Sequence, residues 1–207
     1  MESSIRSLKR FVYLVSPNKI YSNFYEDLDK VLSSKKVSFF QLRLKKKPIK
    51  LIIKIANRIK KITKKHKVKF IINDDSKLAK RIGADGCHIG QLDNTVSSAR
   101  KDIKKKTIGV TCHNSKKLAL KAFKDKADYI AFGSFFKSRL KPRAKKADLK
   151  ILFWSKKKIK KPIVVIGGIT DKNYKKLIKA GANYIAISSF IWDNPSLKPE
   201  LAIRKFT

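Results

Sequence analysis

The chain has 207 residues, 43% of them hydrophobic, and carries 52 lysines and arginines against 15 acids, a formal charge of +37. That length can bury one substantial core, and no apolar run approaches the roughly 18 residues that span a bilayer. Cys87 and Cys112 lie in separate apolar runs and form no CxxC, which argues against a disulfide framework or a zinc site and favours a reducing cytoplasm.

In chain order, short β-branched or aromatic runs alternate with segments of helical period. The N-terminal run FVYLVSP (11–17) follows basic residues but is too short for a signal segment, so it is the first predicted strand. The others fall at 37–45, 68–74, 86–91, 107–113, 129–136, 162–168 and 184–191. Helical patterns occupy 24–34, 48–66, 75–83, 94–103, 115–125, 147–157 and 171–181, with a last one at 196–206 interrupted by Pro199. The predicted strands are near-continuous apolar runs, as expected where a parallel sheet is covered on both faces. A weak repeat runs through GADGCHIG, KADYIAFG and GANYIAIS, each placing Asp or Asn just before a strand. Gly83 and Gly181 fit the left-handed position that ends a helix.

Eight βα units in strict alternation predict an α/β chain, residues 1–207, folded as a single (β/α)8 TIM barrel with an eight-stranded parallel core. An open doubly wound sheet is the alternative, but the sequence has neither GxGxxG nor a P-loop lysine motif.

The charge itself names no function. Arginine supplies only nine of the 52 cations, and the lysines line the polar faces of helical patterns such as KLIIKIANRIKKITKKHK. A nucleic-acid face concentrates its cations, interleaves aromatics and favours arginine. The lysines are therefore read as a solvated surface that attracts anionic substrates, with no specific nucleic-acid or membrane partner. Oligomeric state is left open.

In a barrel of this kind the chemistry sits where strands end. There the sequence places Gln41, Arg43 and Lys45 at alternating positions, hence on one strand face. It places Asn73 and Asp74 at the end of the third strand, Asp93 just past the fourth, and Thr111 at the end of the fifth. Ser138 and Lys141 follow the sixth, Gly167 and Gly168 close the seventh, and Ser188 and Ser189 close the eighth. Arginine and lysines beside two aspartates suit a diphosphate carried with Mg²⁺, and paired glycines allow an anion to approach backbone N–H groups. Each residue also has a plainer reading. Asp74 or Asp75 could cap the third helix, and Asp93 the fourth. Gly167 and Gly168 could form an ordinary turn. His88 and His113 read as satisfied core or rim histidines, and His66 as exposed. Phe39, Phe40, Phe135 and Phe136 read as core.

The ordered motifs QLRLK, NDDSKLAKRIGADGCHIGQLD, IGVTCHN, FGSFFKSRLKP and IGGIT resemble the thiamine-phosphate synthase and thiazole tautomerase family over nearly the whole chain. The resemblance implies coupling of hydroxymethylpyrimidine diphosphate to hydroxyethylthiazole phosphate, giving thiamine phosphate and pyrophosphate. It assigns Gln41, Arg43 and Lys45 to the pyrimidine diphosphate, Asn73 to a pyrimidine or diphosphate contact, and Thr111 and Lys141 to substrate binding, with Arg43, Lys45 and Lys141 stabilising the leaving group. Asp74 and Asp93 become Mg²⁺ ligands. Gly168, Ser188 and Ser189 lie against the thiazole phosphate, Gly167 beside them is a further substrate-binding residue, and the loop at Ser138 contacts the thiazole phosphate or pyrophosphate. Ser138 and Leu140 stand where the family usually has threonines, and Leu140 cannot donate a hydrogen bond. The tautomerase, by the same resemblance, has a histidine where this chain has Ser134 and loses the two aspartates, so the synthase is preferred.

Overall fold

The structure, a computed structural model, describes residues 10–137 and 146–207. Eight parallel strands close into one barrel in sequence order. They are β1 (Val12–Val15), β2 (Val37–Leu42), β3 (Lys69–Asn73), β4 (Gly86–Ile89), β5 (Thr107–Thr111), β6 (Tyr129–Gly133), β7 (Ile163–Ile166) and β8 (Tyr184–Ile187). Seven helices follow the first seven strands: α1 (Phe24–Ser33), α2 (Ile49–Lys65), α3 (Ser76–Ile82), α4 (Val96–Ile103), α5 (Lys116–Lys124), α6 (Lys150–Lys158) and α7 (Tyr174–Lys179). A single turn, α8 (Ser189–Trp192), and α9 (Pro199–Arg204) complete the described chain. Among these residues no helix is long and apolar enough to cross a membrane.

The predicted (β/α)8 barrel is therefore what the chain forms, but the strands are shorter than the apolar runs. Predicted strands overshoot at their C-terminal ends, where the chain has already turned off the sheet. The run ISSFIW is the clearest case: β8 stops at Ile187, and Ser189–Trp192 turns into α8, burying Ile191 and Trp192. Pro199 does not interrupt the last helix. It starts it, at the one position where the missing N–H costs nothing.

Two packed regions hold the barrel together. Outward-facing strand residues such as Leu14, Phe40, Phe70, Ile108 and Phe132 meet the apolar stripes of the helices. In α2 that stripe is Ile55, Ala56, Ile59 and Thr63, and the lysines occupy the rest of the helix surface. Inside the barrel, Tyr13, Val15, Phe39, Ile71, Tyr129, Ala131, Val164 and Ala186 form a separate core. Large rings are accommodated by small neighbours. A Cβ on Gly109 would lie 1.8 Å from Cζ of Tyr129, so the Tyr129 ring occupies the space that glycine leaves open.

The sequence repeat has a structural cause. Asp85, Asp128 and Asn183 each precede an even-numbered strand and clamp the start of the odd-numbered strand before it. Asp85 Oδ2 accepts from Phe70 N at 2.7 Å, Asp128 Oδ2 from Ile108 N at 2.8 Å, and Asn183 Oδ1 from Ile163 N at 2.8 Å. In return the backbone N–H of each donates to the carbonyl of that same residue. These contacts satisfy backbone groups at the barrel floor, where the ladder begins. Part of the scarce acid thus serves the scaffold.

Both cysteines are unpaired and fully buried. Burial pushes each thiol up to about 12, so almost none is thiolate near neutral pH. The native protein is expected to resist an aromatic disulfide reagent at pH 8, and both thiols should react only after unfolding in denaturant. Fast labelling of the folded chain would contradict this placement.

Candidate active site at the barrel mouth

The C-terminal ends of β2, β3, β4 and β5 bring most of the predicted polar residues to one rim. Gln41 is buried, and its Nε2 donates to Asn73 Oδ1 at 2.6 Å, joining the ends of β2 and β3. Asp74 follows in a left-handed conformation (φ 65°), and its N–H donates to the His88 carbonyl at 2.7 Å. This turn points the chain away from the ladder and leaves the carboxylate beside Lys45, with Nζ and Oδ2 3.5 Å apart.

Asp74 and Asp93 come together although 19 positions separate them in sequence. Burial first, and then the Asp93 carboxylate, hold the Asp74 carboxyl above the ordinary carboxylate range, while Lys45 pulls the other way. Asp93 is steadied by the Gly90 N–H, which donates to its Oδ2 at 2.7 Å. Neither acid caps a helix. Asp75 caps α3, accepting from Leu78 N at 2.8 Å, and Thr95 caps α4, accepting from Ser98 N at 3.1 Å. With capping assigned elsewhere, Asp74 has Lys45 and Asp93 has the Gly90 N–H as the contacts that partly offset their repulsion.

Arg43 and Lys45 depart from the expected single strand face. β2 ends at Leu42, so both residues lie beyond the strand, and Lys45 is already on a turn with Lys46, which adopts a positive φ. Arg43 leans toward the loop after β1, with its N–H on Ser16 Oγ at 2.9 Å and its guanidinium 3.3 Å from Asn18 Oδ1. Lys45 leans the other way, over β3. The two cations flank the strand end from opposite sides.

The remaining predicted residues are more dispersed. Thr111 ends β5, half-buried, and its hydroxyl meets His88 Nε2 at 2.7 Å, while its carbonyl accepts from Gln91 at 2.5 Å. Gly167 and Gly168 have φ of 109° and 60°, where L side chains are strained. A Cβ there would strike Ser134 Oγ or the Lys137 carbonyl, so close packing against the loop after β6 already requires both glycines. Ser188 Oγ donates to the Ser16 carbonyl at 3.1 Å, tying β8 to β1, and Ser189 opens α8. Ser138, Leu140 and Lys141 lie outside the described residues.

Among the histidines, His88 is satisfied as expected and His113 is exposed on the rim. His66 is not exposed as predicted. Its side chain is only 13% accessible, and Nε2 sits 2.8 Å from Asp29 Oδ1, because α2 ends against α1. Phe39, Phe40 and Phe135 are buried core, and Phe136 is partly covered beneath Lys176 Nζ, 4.8 Å from its ring. Sequence reasoning misses Ser16 and Asn18 as supports for Arg43. It also misses the ring network beneath Thr111, whose one visible signal is a glycine in the middle of TIGVT.

Among the described residues no group of three or more His, Cys, Asp or Glu side chains gathers. A cation held here would take two carboxylates and complete its shell with water and ligand oxygens. That is the habit of Mg²⁺, not of zinc, and the strained charge on Asp74 fits such an ion.

A closed (β/α)8 barrel with paired acids and cations at the strand ends defines the class of barrel proteins built to handle anionic ligands at the mouth. Residues 12–191 match the family described as thiamine monophosphate synthase, and the chain belongs to that family. It is 57% identical to the thiamine-phosphate synthase of Pelagibacter ubique, over 95% of this chain and 96% of that protein. It is 39% identical to the thiamine-phosphate synthase of Erythrobacter litoralis, over 87% of each. Among solved structures, thiamine phosphate pyrophosphorylase from Pyrococcus furiosus superposes with a TM-score of 0.85 at 25% identity, covering 96% of this chain and 94% of that one.

Proposed function

We propose that the chain is a Mg²⁺-dependent, cytoplasmic thiamine-phosphate synthase that joins hydroxymethylpyrimidine diphosphate to hydroxyethylthiazole phosphate. The observation that carries the reading is the Asp74–Asp93 pair with Lys45 beside it, on a chain 57% identical to a protein of that name. Two unpaired cysteines support the reducing compartment.

In the reaction the C–O bond to the diphosphate breaks, a C–N bond to the thiazole nitrogen forms, and pyrophosphate departs. Asp74 and Asp93 would hold the Mg²⁺, which when bound supplies positive charge to the leaving diphosphate. Arg43 and Lys45, approaching from two sides of the β2 end, add charge where it accumulates on phosphate oxygens, with Lys141 assigned the same role by resemblance. Gln41 and Asn73, locked to each other, orient the pyrimidine. Thr111 contributes its hydroxyl to the same ligand. Gly167, Gly168, Ser188 and Ser189 belong to the half of the mouth that anchors the thiazole phosphate, so the nitrogen is held near the carbon it attacks, with Ser138 assigned to substrate binding by resemblance. No residue has to remove a proton from carbon.

The test is direct. Purified protein supplied with both phosphorylated substrates and Mg²⁺ is expected to yield thiamine phosphate and pyrophosphate in equal amounts. Absence of both products would sink the reading.

A further inference from the structure

Inside the barrel, below the mouth, four polar side chains form one continuous line. Tyr13 Oη lies 2.7 Å from Tyr129 Oη, Tyr129 Oη lies 2.8 Å from His88 Nδ1, and His88 Nε2 lies 2.7 Å from Thr111 Oγ1. The rings come from β1, β6 and β4, and they meet because β5 offers Gly109 between them. Gly109 is the register partner of both His88 and Tyr129. The His88 and Tyr129 rings stack across it with centroids 5.6 Å apart and planes 19° from parallel.

The line has a direction. Both phenols are at most 2% accessible, and burial pushes each well above its ordinary range, so each keeps its one proton. Tyr13 Oη has Tyr129 as its only hydrogen-bond partner among the described residues. If Thr111 donated to His88, the imidazole would donate to Tyr129, Tyr129 to Tyr13, and the Tyr13 proton would be stranded at the buried end. If Tyr13 donates first, Tyr129 donates to Nδ1, Nε2–H donates to Thr111, and every buried proton finds an acceptor. Buried donors are almost always satisfied, so the second polarity wins.

We infer that His88 is a positioning residue, held as the Nε2–H tautomer by the Tyr13–Tyr129 pair, and that it turns the Thr111 hydroxyl proton outward to donate to an acceptor atom of the bound substrate. The inference rests on Thr111 facing the pyrimidine diphosphate, and it specifies what Thr111 recognises: a ring nitrogen or a phosphate oxygen, not a donor group. A serine would serve equally, and a side chain without a hydroxyl would not.

Polarity can be read without turnover. The chain has three histidines, so a long-range ¹H–¹⁵N correlation spectrum of the labelled protein resolves each ring, with His88 assigned by its loss in His88→Gln. The expected pattern is a protonated Nε2 and an unprotonated Nδ1, unchanged in Tyr13→Phe. A protonated Nδ1, alone or in an imidazolium, would overturn the inference whether or not the protein makes thiamine phosphate. Positioning is read from pyrophosphate release. His88→Leu is expected to lower kcat/KM about tenfold, the loss of one hydrogen bond to a charged or polar ligand, and His88→Gln to recover most of it through its amide donor. In a Thr111→Val background His88→Leu should cost nothing further. An equal loss in both backgrounds would show that His88 acts only through packing.

Discussion

Replacing either rim acid, as Asp74→Asn or Asp93→Asn, is expected to cut turnover about 10²–10³-fold while leaving the fold intact. The two carboxylates are held together with Lys45 as a half-exposed counterion, and burial with mutual repulsion keeps the Asp74 carboxyl above its ordinary range. The sign follows from that direction. A carboxyl whose folded value lies above its unfolded value weakens the fold where it is ionised, and the penalty fades as pH falls through the folded value. Asp74→Asn should therefore leave thermal stability unchanged or slightly raised at neutral pH, whereas loss of a structural acid would lower it. Mg²⁺ should raise the melting temperature of the wild type, since an ion that binds only the folded chain stabilises it, and should fail to do so in Asp93→Asn. Full turnover in Asp93→Asn, or an equal Mg²⁺ effect on both proteins, would remove the metal from the reading.

Gly109→Ala is expected to be the most damaging single-methyl change in the barrel interior. The added Cβ would stand 1.8 Å from Cζ and 2.3 Å from Oη of Tyr129. That ring has no room to retreat, because Tyr13, Phe39 and His88 surround it at centroid distances of 5.7, 5.9 and 5.6 Å. Overpacking of this kind costs about 1–3 kcal/mol, which for a chain of this size lowers the melting temperature by about 2–12 °C. The change should also weaken the hydrogen-bonded line to Thr111, so activity should fall even where the protein remains folded. In a Tyr129→Ala background the same methyl enters a void and should cost little. Equal costs in the two backgrounds, measured by thermal denaturation, would mean that the ring is not what Gly109 accommodates.

Much of the site is legible in the amino-acid sequence because strand ends and carboxylates coincide along the chain. Asn73, Asp74 and Asp93 stand out in a chain with few acids, and the barrel architecture places successive strand ends side by side. Arg43 and Lys45 are legible as residues but not as geometry. Alternation along a strand holds only while the strand lasts, and β2 stops at Leu42, before either residue, so the two side chains take different partners. Gly167 and Gly168 are legible as special backbone, yet sequence does not distinguish an anion cradle from the close approach of the loop after β6.

By itself, the order of apolar runs and helical stripes determined that this chain alternates strand and helix eight times, since periodicity is a local property and burial follows it. The sequence also located the motifs that carry the family resemblance. Tertiary structure alone decided which polar groups face one another. Tyr13, His88, Thr111 and Tyr129 lie on four strands spread over more than a hundred positions; pairing of β4, β5 and β6 gathers three of them, and barrel closure brings in Tyr13 from β1. It decided as well that His66 meets Asp29, that Asp75 and Thr95 take the caps, and that Asp74 and Asp93 share one patch of rim. Hydrogen bonds and charge pairs depend on distances of a few ångströms between side chains, and those distances do not exist until the chain has folded.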